Sequence, residues 1–193
     1  DSITYTGPVQ FKMGRSLHRV TMKHIKGTGA FASKEGSKQA TFREEDILPY
    51  SLIQFYGIIN ENAAKYTKLT EDDVLLFLDG TWNGTKSLIS RTKAGQVPRL
   101  LLKVNYSKKN YHIGDLDKMI KLIAEMPHEN IRGTEDFKID LSALISKLAA
   151  EKSSIKDIEI CSDDRIAFCR DGAEFKIDGL AAATGIAIKP IVF

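Results

Sequence analysis

The sequence predicts an α+β fold, with antiparallel strands and helices largely on one side, from three observations. Short runs alternate apolar and polar residues at period two. The clearest is Leu100, Leu102, Val104 and Tyr106, interleaved with Arg99, Leu101, Lys103 and Asn105. Two longer stretches, Val74 to Ile89 and Leu141 to Lys152, repeat apolar residues at the helical period. Between them and the N-terminus, two polar, extended flanks surround a tip of small residues, the pattern of a long hairpin that leaves the globule. The 193 residues fit one domain over 1–193, carrying a hairpin insertion over 19–46 and a helical insertion with a basic loop over 60–97.

Taken in order, residues 3–11 form a strand, because Tyr5, Val9 and Phe11 share one face; Gly7-Pro8 marks a bulge or an edge. Residues 17–25 and 38–47 are the legs of the arm. Residues 47–60 are apolar, β-branched and aromatic, and predict a strand returning to the core with Gly57 as a point of close packing; a buried helical turn is the alternative. Asn60 caps a short helix over 61–68. Thr70 and Asp73 have capping-box spacing for the next helix, in which Gly80 and Gly84 each cost about 1 kcal/mol relative to alanine and are tolerated if something packs closely there. Trp82 reads as core. Ser90 to Gln96 is a polar loop that ends at Val97-Pro98, before the strand over 99–106. Asp115 or Asp117 starts a helix that runs to Glu125 and stops at Met126-Pro127. A loop over 128–136 leads to a short strand over 137–139. Asp140 caps the helix through Leu144, Ile145 and Leu148. Residues 155–160 and 165–169 form a hairpin around Ser162-Asp163-Asp164. Residues 179–184 are helical with Gly185 as the stop, and a last strand over 186–193 is restricted by Pro190 to an edge or a bulge.

Hydrophobic and charged fractions of 42% and 27% are those of an ordinary soluble globule, and a net charge of +3 selects no partner. The distribution of charge does. Lys12 to Arg43 is basic, and Lys86 to Lys109 holds seven cations and no acid; the acids collect at Glu44-Glu45-Asp46, at Glu71-Asp72-Asp73 and in the last third. That is one polyanion-binding surface on a neutral-to-acidic remainder. Cys161 and Cys169, in apolar segments without metal-ligand spacing, read as free thiols of a reducing cytosol. No run is long enough to span a membrane and no signal peptide is present, so the reading is cytoplasmic with no membrane partner. The chain opens at Asp1 almost inside a strand, which implies upstream sequence removed or supplied elsewhere.

Catalytic patterns are missing. His18, His24, His112 and His128 form no pair at helical spacing and none adjoins a cysteine, so no metal is expected. There is no nucleophile elbow and no phosphate-cradling glycine loop, and Asp72-Asp73 and Asp163-Asp164 occupy a helix start and a turn. The chain reads as a non-enzyme without cofactor. The loop Ser90-Arg91-Thr92-Lys93-Ala94-Gly95-Gln96 is the better signal: two cations, two hydroxyls, an amide and a glycine suit a sugar-phosphate backbone followed without reading bases.

Gly7-Pro8-Val9-Gln10-Phe11 followed by Gly14-Arg15-Ser16-Leu17-His18, then Trp82-Asn83-Gly84, then Ser90 through Leu100, occur in an order that resembles the backbone subunit of CRISPR Cascade complexes, closest to the subtype I-B form. The resemblance is good over about residues 3–125 and rests beyond that on element order. It implies a right-hand-shaped protein of the repeat-associated (RAMP) superfamily, with an RRM- or ferredoxin-like palm; the strand–helix–strand pattern from Leu100 to Ile139 suits half of such a palm. It implies a thumb over 19–46, with Gln10, Arg15, Ser16, His18 and Arg19 lining the palm near a guide RNA (crRNA), Lys23 and Lys26 on the thumb, and Ser90, Arg91, Lys93 and Gln96 holding guide phosphates. Met22 or Phe31 is the apolar wedge. Its implied partners are the guide, a target DNA strand paired to it, further copies of the same chain and other Cascade subunits. The family begins with a strand and helix ahead of Gly7-Pro8 that are not seen here, which predicts an exposed sheet edge. Two rivals differ in class. One is a generic single-stranded RNA binder, which normally shows paired aromatics where this sequence has Leu101, Lys103 and Asn105. The other is a metal-dependent, target-RNA-cleaving backbone subunit of type III kind.

Overall fold

The structure, a computed structural model, describes residues 4, 6–28 and 42–193. Its first half is a single antiparallel ribbon. Strands β1 (Val9–Phe11), β2 (Arg15–Ser16) and β3 (Lys23–Thr28) run outward. Strands β4 (Phe42–Ile47), β5 (Ile53–Gln54) and β6 (Gly57–Ile59) return. Val9 faces Ile59, Arg15 faces Gln54 and Lys23 faces Ile47, so the register slips by one residue between β1 and β2 and again between β2 and β3, always with the extra residue on the outgoing side. Lys12 N donates to Tyr56 O (2.8 Å) and Leu17 N to Leu52 O (2.9 Å), which confines the slips to Met13-Gly14 and to the stretch from His18 to Met22. Gly14 tolerates its slip because the rings and methyls of Phe55 and Ile53 fill the space where a Cβ would stand. The arm and the returning apolar segment, expected as separate elements, are thus one ladder that starts where Asn60 N meets Pro8 O at 2.7 Å.

Helices α1 (Glu61–Thr67) and α2 (Glu71–Ser87) follow. Asn60 caps α1 through its side chain, and Thr70 with Asp73 forms the expected capping box, with reciprocal bonds of 3.2 and 2.9 Å. Gly80 and Gly84 depart from expectation: nothing lies within 4 Å of a Cβ at either, so no close packing accounts for them.

The second half forms the main core. Strand β7 (Leu100–Tyr106) pairs antiparallel with β10 (Ile155–Ser162), and β10 pairs parallel with β13 (Ile188–Pro190), which leaves Pro190 on an edge as expected. A second sheet runs in the order β12 (Ala173–Phe175), β11 (Phe168–Arg170), β9 (Lys138–Asp140), β8 (Lys121–Ile123). Helices α3 (Ser142–Ala150) and α4 (Leu180–Thr184) serve this core, where Leu144, Ile145, Leu148, Ile158 and Leu180 are fully buried. Asp140 acts one position outside the helix it was expected to cap, accepting from Ser142 N at 2.9 Å. Val74, Leu78 and Trp82 of α2 are buried apart from this cluster; Trp82 stacks on Phe193 at 6.1 Å, and Phe77 meets Phe11 at 5.7 Å.

The α+β class stands, with three corrections. The helix expected over 115–125 is a single 3₁₀ turn, Leu116–Met119, followed by β8; Gly114 and Asp115 take positive φ (76° and 46°), and β8 then pairs along β9. The hairpin over 155–169 does not form, because β10 has β7 and β13 along its two edges, while β11 crosses to the other sheet. The sheets are mixed, since β10–β13 and β9–β11 are parallel. No helix among the described residues is long and apolar enough to cross a membrane.

Candidate nucleic-acid interface

The ribbon carries cations outward, and its returning strand answers one of them, Lys26, with an acid directly opposite. Register sets Lys26 opposite Glu44 (Nζ to Oε1 3.2 Å) and His24 opposite Asp46 (Nδ1 to Oδ1 2.9 Å). At these two positions the arm pairs polar groups across the ladder and Lys26 is already engaged, whereas Arg15 and Lys23 face Gln54 and Ile47. Lys23 faces Ile47 and is exposed. Phe31, Lys34 and Lys38 lie outside the described residues.

Nearer the base, Gln10 is exposed on β1, its amide donating to Gly7 O at 3.0 Å. Arg15 is exposed opposite Gln54. Ser16 is half-buried, its hydroxyl donating to His18 O at 2.8 Å. Arg19 is 80% exposed and reaches Glu129 at 3.4 Å. The Glu129 carboxyl is held below the usual range by its own backbone N–H and, less strongly, by Arg19. His18 departs from its expected place along a guide. Its side chain is buried: Nδ1 bonds Arg19 O at 3.0 Å, Nε2 accepts Leu52 N–H at 3.4 Å, and the ring stacks on Tyr50 and meets the edge of His128. It braces the second register slip from inside.

The loop over 90–96 winds into a turn in which Ser90 O accepts from Lys93 N and Ala94 N, at 3.2 and 2.9 Å, and Gly95 takes φ 86°. Ser90, Lys93 and Gln96 are exposed. Arg91 leaves the loop to bind Glu45 on β4, and Glu45 also holds Arg43. The structure thus joins the two basic segments singled out in the sequence through Arg91 and Glu45, while Gln10 and Arg15 stay strung along the outgoing strand. Glu45 and the loop share the wall of one open cleft of about 2200 Å³, whose floor includes Lys103, Asn105, Asp157 and Glu159 on the outer face of β7–β10. That floor is charge-balanced: Lys103 binds Glu159 at 3.2 Å, Asn105 bridges Asp157 and Glu159, and Lys189 reaches Asp157 at 2.5 Å.

Sequence reasoning missed Arg43 and Glu45 as partners of the loop. The signal, an acid flanked by acids that face cations across the ladder, becomes visible only with the register. It also missed Arg99, which sits at the mouth of β7, lines the cleft and pairs with Asp163 at 3.2 Å. Among the described residues, no group of three or more His, Cys, Asp or Glu is placed to hold a metal ion.

An α+β core with a ribbon arm, and a cation-bearing loop docked on that arm, is compatible with the RAMP resemblance seen in the sequence. The family model "CRISPR-associated protein Cas7" matches residues 2–142. A curated Haloferax volcanii protein described as CRISPR-associated protein Cas7 is 31% identical over 166 residues, covering 84% of this chain and 48% of that protein. The chain therefore spans about half the length of this relative. A chain of the solved "CRISPR RNA-guided surveillance complex, pre-nicking" shares the fold, with TM-score 0.53 and 10% identity over 97% of this chain and 48% of that one. The chain belongs to the CRISPR-associated protein Cas7 family.

Proposed function

We propose that the chain binds a CRISPR guide RNA along its sugar-phosphate backbone, as one of several copies that follow one another as the scaffold of a subtype I-B surveillance complex. The guide held in this way pairs with a complementary DNA strand. The chain's part is to hold and space the guide, without catalysis. Family membership supports this reading. The observation that carries it is the docking of the 90–96 loop on the ribbon through Arg91 and Glu45, with Ser90, Lys93 and Gln96 left exposed beside the joint. A guide of any spacer sequence has to be held without base-edge contacts, and guanidinium, ammonium, hydroxyl and amide groups supply that. Arg15, Arg19 and Lys23 extend the same kind of surface along the outgoing strand. Met22, 67% exposed on the arm, is the described candidate for a wedge between bases. Contacts from an arm to the next copy would be heterologous and would build an open helix.

The test is fluorescence anisotropy with labelled single-stranded RNAs of unrelated sequence, over a salt series. Replacing Arg91 and Lys93 together by alanine should weaken binding about tenfold or more for every sequence, since each charged contact contributes about 1.5–3 kcal/mol, and should flatten the salt dependence. Binding as tight as wild type would remove the site from this loop.

A further inference from the structure

We infer that Glu45 is a placeholder: in the RNA-free chain its carboxylate occupies a seat for one guide phosphodiester, formed by Arg43 of the arm and Arg91 of the loop. This rests on the guide-binding reading above and names one subsite within it. The Glu45 carboxylate takes Arg43 Nε at 3.2 Å and Arg43 Nη2, and with its second contact Arg91 Nη2. It therefore lies between two guanidinium groups, one held in a forked contact. A phosphodiester presents the same features, two terminal oxygens that share one negative charge, and accepts the same fork.

Register explains why Glu45 alone can be exchanged. Glu44 and Asp46 are answered across the ladder by Lys26 and His24, whereas Glu45 faces Ile25 and has no cation opposite it. Its partners among the described residues are the two arginines, which are themselves 49% and 61% exposed and so reachable by a ligand. Exposed ion pairs contribute little and exchange readily. Displacement by phosphate leaves both guanidinium groups paired and frees Glu45 into water, so no buried charge is stranded. Before a guide arrives, Glu45 keeps two cations on separate segments from repelling each other.

The experiment measures a short fluorescein-labelled single-stranded RNA binding to the chain, and its salt slope, for wild type, Glu45→Gln, Glu44→Gln, Lys93→Ala and Arg91→Ala. Glu45→Gln should bind about three- to tenfold tighter at low salt, with a slope steeper by about 0.7 for each added phosphate contact. Glu44→Gln removes the same charge from the same strand without opening the seat, and should change affinity less. If Glu45→Gln binds no tighter than Glu44→Gln while Lys93→Ala still weakens binding, the placeholder is overturned and the guide-binding loop stands. If Lys93→Ala and Arg91→Ala both leave binding unchanged, the guide-binding reading fails and the seat with it. Thermal denaturation of each variant separates loss of fold from loss of the seat.

Discussion

The ring of Phe11 lies across the backbone of Gly57, its register partner on the returning strand, so closely that a Cβ on Gly57 would stand 2.7 Å from Phe11 Cζ. Because Phe11 also meets Phe77 of α2 at 5.7 Å, this contact ties the foot of the ribbon to the helix. Gly57→Val should push the ring off its seat and cost about 0.5–1.5 kcal/mol, the worth of an aromatic contact, read as a lower denaturation midpoint. An unchanged midpoint would show that the ring finds an equivalent position.

Gly80 and Gly84 lie on the exposed side of α2 with open space where a side chain would go. Alanine at either should stabilise the isolated chain by about 0.5–1 kcal/mol, raising Tm by about 2–4 °C per kcal/mol for a chain of this size. If the gain appears in the isolated chain while assembly with further copies is impaired, a neighbour's backbone approaches these glycines.

His18 is a strut, and its variants should say so. His18→Ala removes a buried ring that accepts Leu52 N–H and stacks on Tyr50, and should cost about 1–3 kcal/mol of stability. RNA affinity of the folded protein, measured well below its Tm, should stay within about twofold of wild type. A large affinity loss with unchanged stability would restore the ring to the interface.

Two of the carboxyls with lowered pKa, Asp157 and Asp163, contribute to acid sensitivity. Asp157, 3% exposed, is held below the usual carboxylate range by Lys189 and then by Asn105; Asp163 is held far below it by the Arg165 side chain, with Arg99 adding to the effect. A depressed folded-state pKa gives stability that is complete above the unfolded value of about 3.9 and is lost as pH falls through the folded value. The denaturation midpoint should therefore be insensitive to both groups near neutrality and should fall from about pH 4 downward. Asp157→Asn should lower stability at neutral pH and flatten that acid limb. A limb as steep as wild type would put the sensitivity elsewhere.

Local chemistry was legible in the sequence wherever the deciding partner lay a few residues away. The Asn60 cap, the Thr70–Asp73 box, the Gly185 stop at φ 69° and the alternation of β7 needed no distant contact. Pairing was not legible. Ile155 to Ile160 and Arg165 to Cys169 look like neighbours, but a strand has only two edges to pair along, and Leu100–Tyr106 and Ile188–Pro190 fill both from far along the chain. Leu116, Met119 and Ile120 carry a helical spacing that the positive φ at Asp115 and the pull of β9 override. The cationic count of the arm was visible, but the pairing of Lys26 with Glu44 and of His24 with Asp46 depends on a register that two one-residue slips have moved. The 90–96 loop was found by composition alone; its anchor on Glu45 was not.

Those two slips also govern how the arm can change length. Side chains on a strand alternate, so gaining or losing one residue within a regular stretch of the ladder would turn over every side chain beyond it. Lys26 would then leave Glu44, and Glu45 would leave Arg91. At Met13-Gly14 and between His18 and Met22 the outgoing strand already carries one residue more than its partner, and a single deletion there can be absorbed as a straighter, less twisted ribbon with the outer faces kept. Between the described pairs outside those windows, the ribbon counts residues in twos. Within the described ladder, tolerance to odd-numbered insertions and deletions should therefore be confined to two short windows near its foot, and any lineage that resizes the ladder outside them must do so by even steps or by changing both strands together.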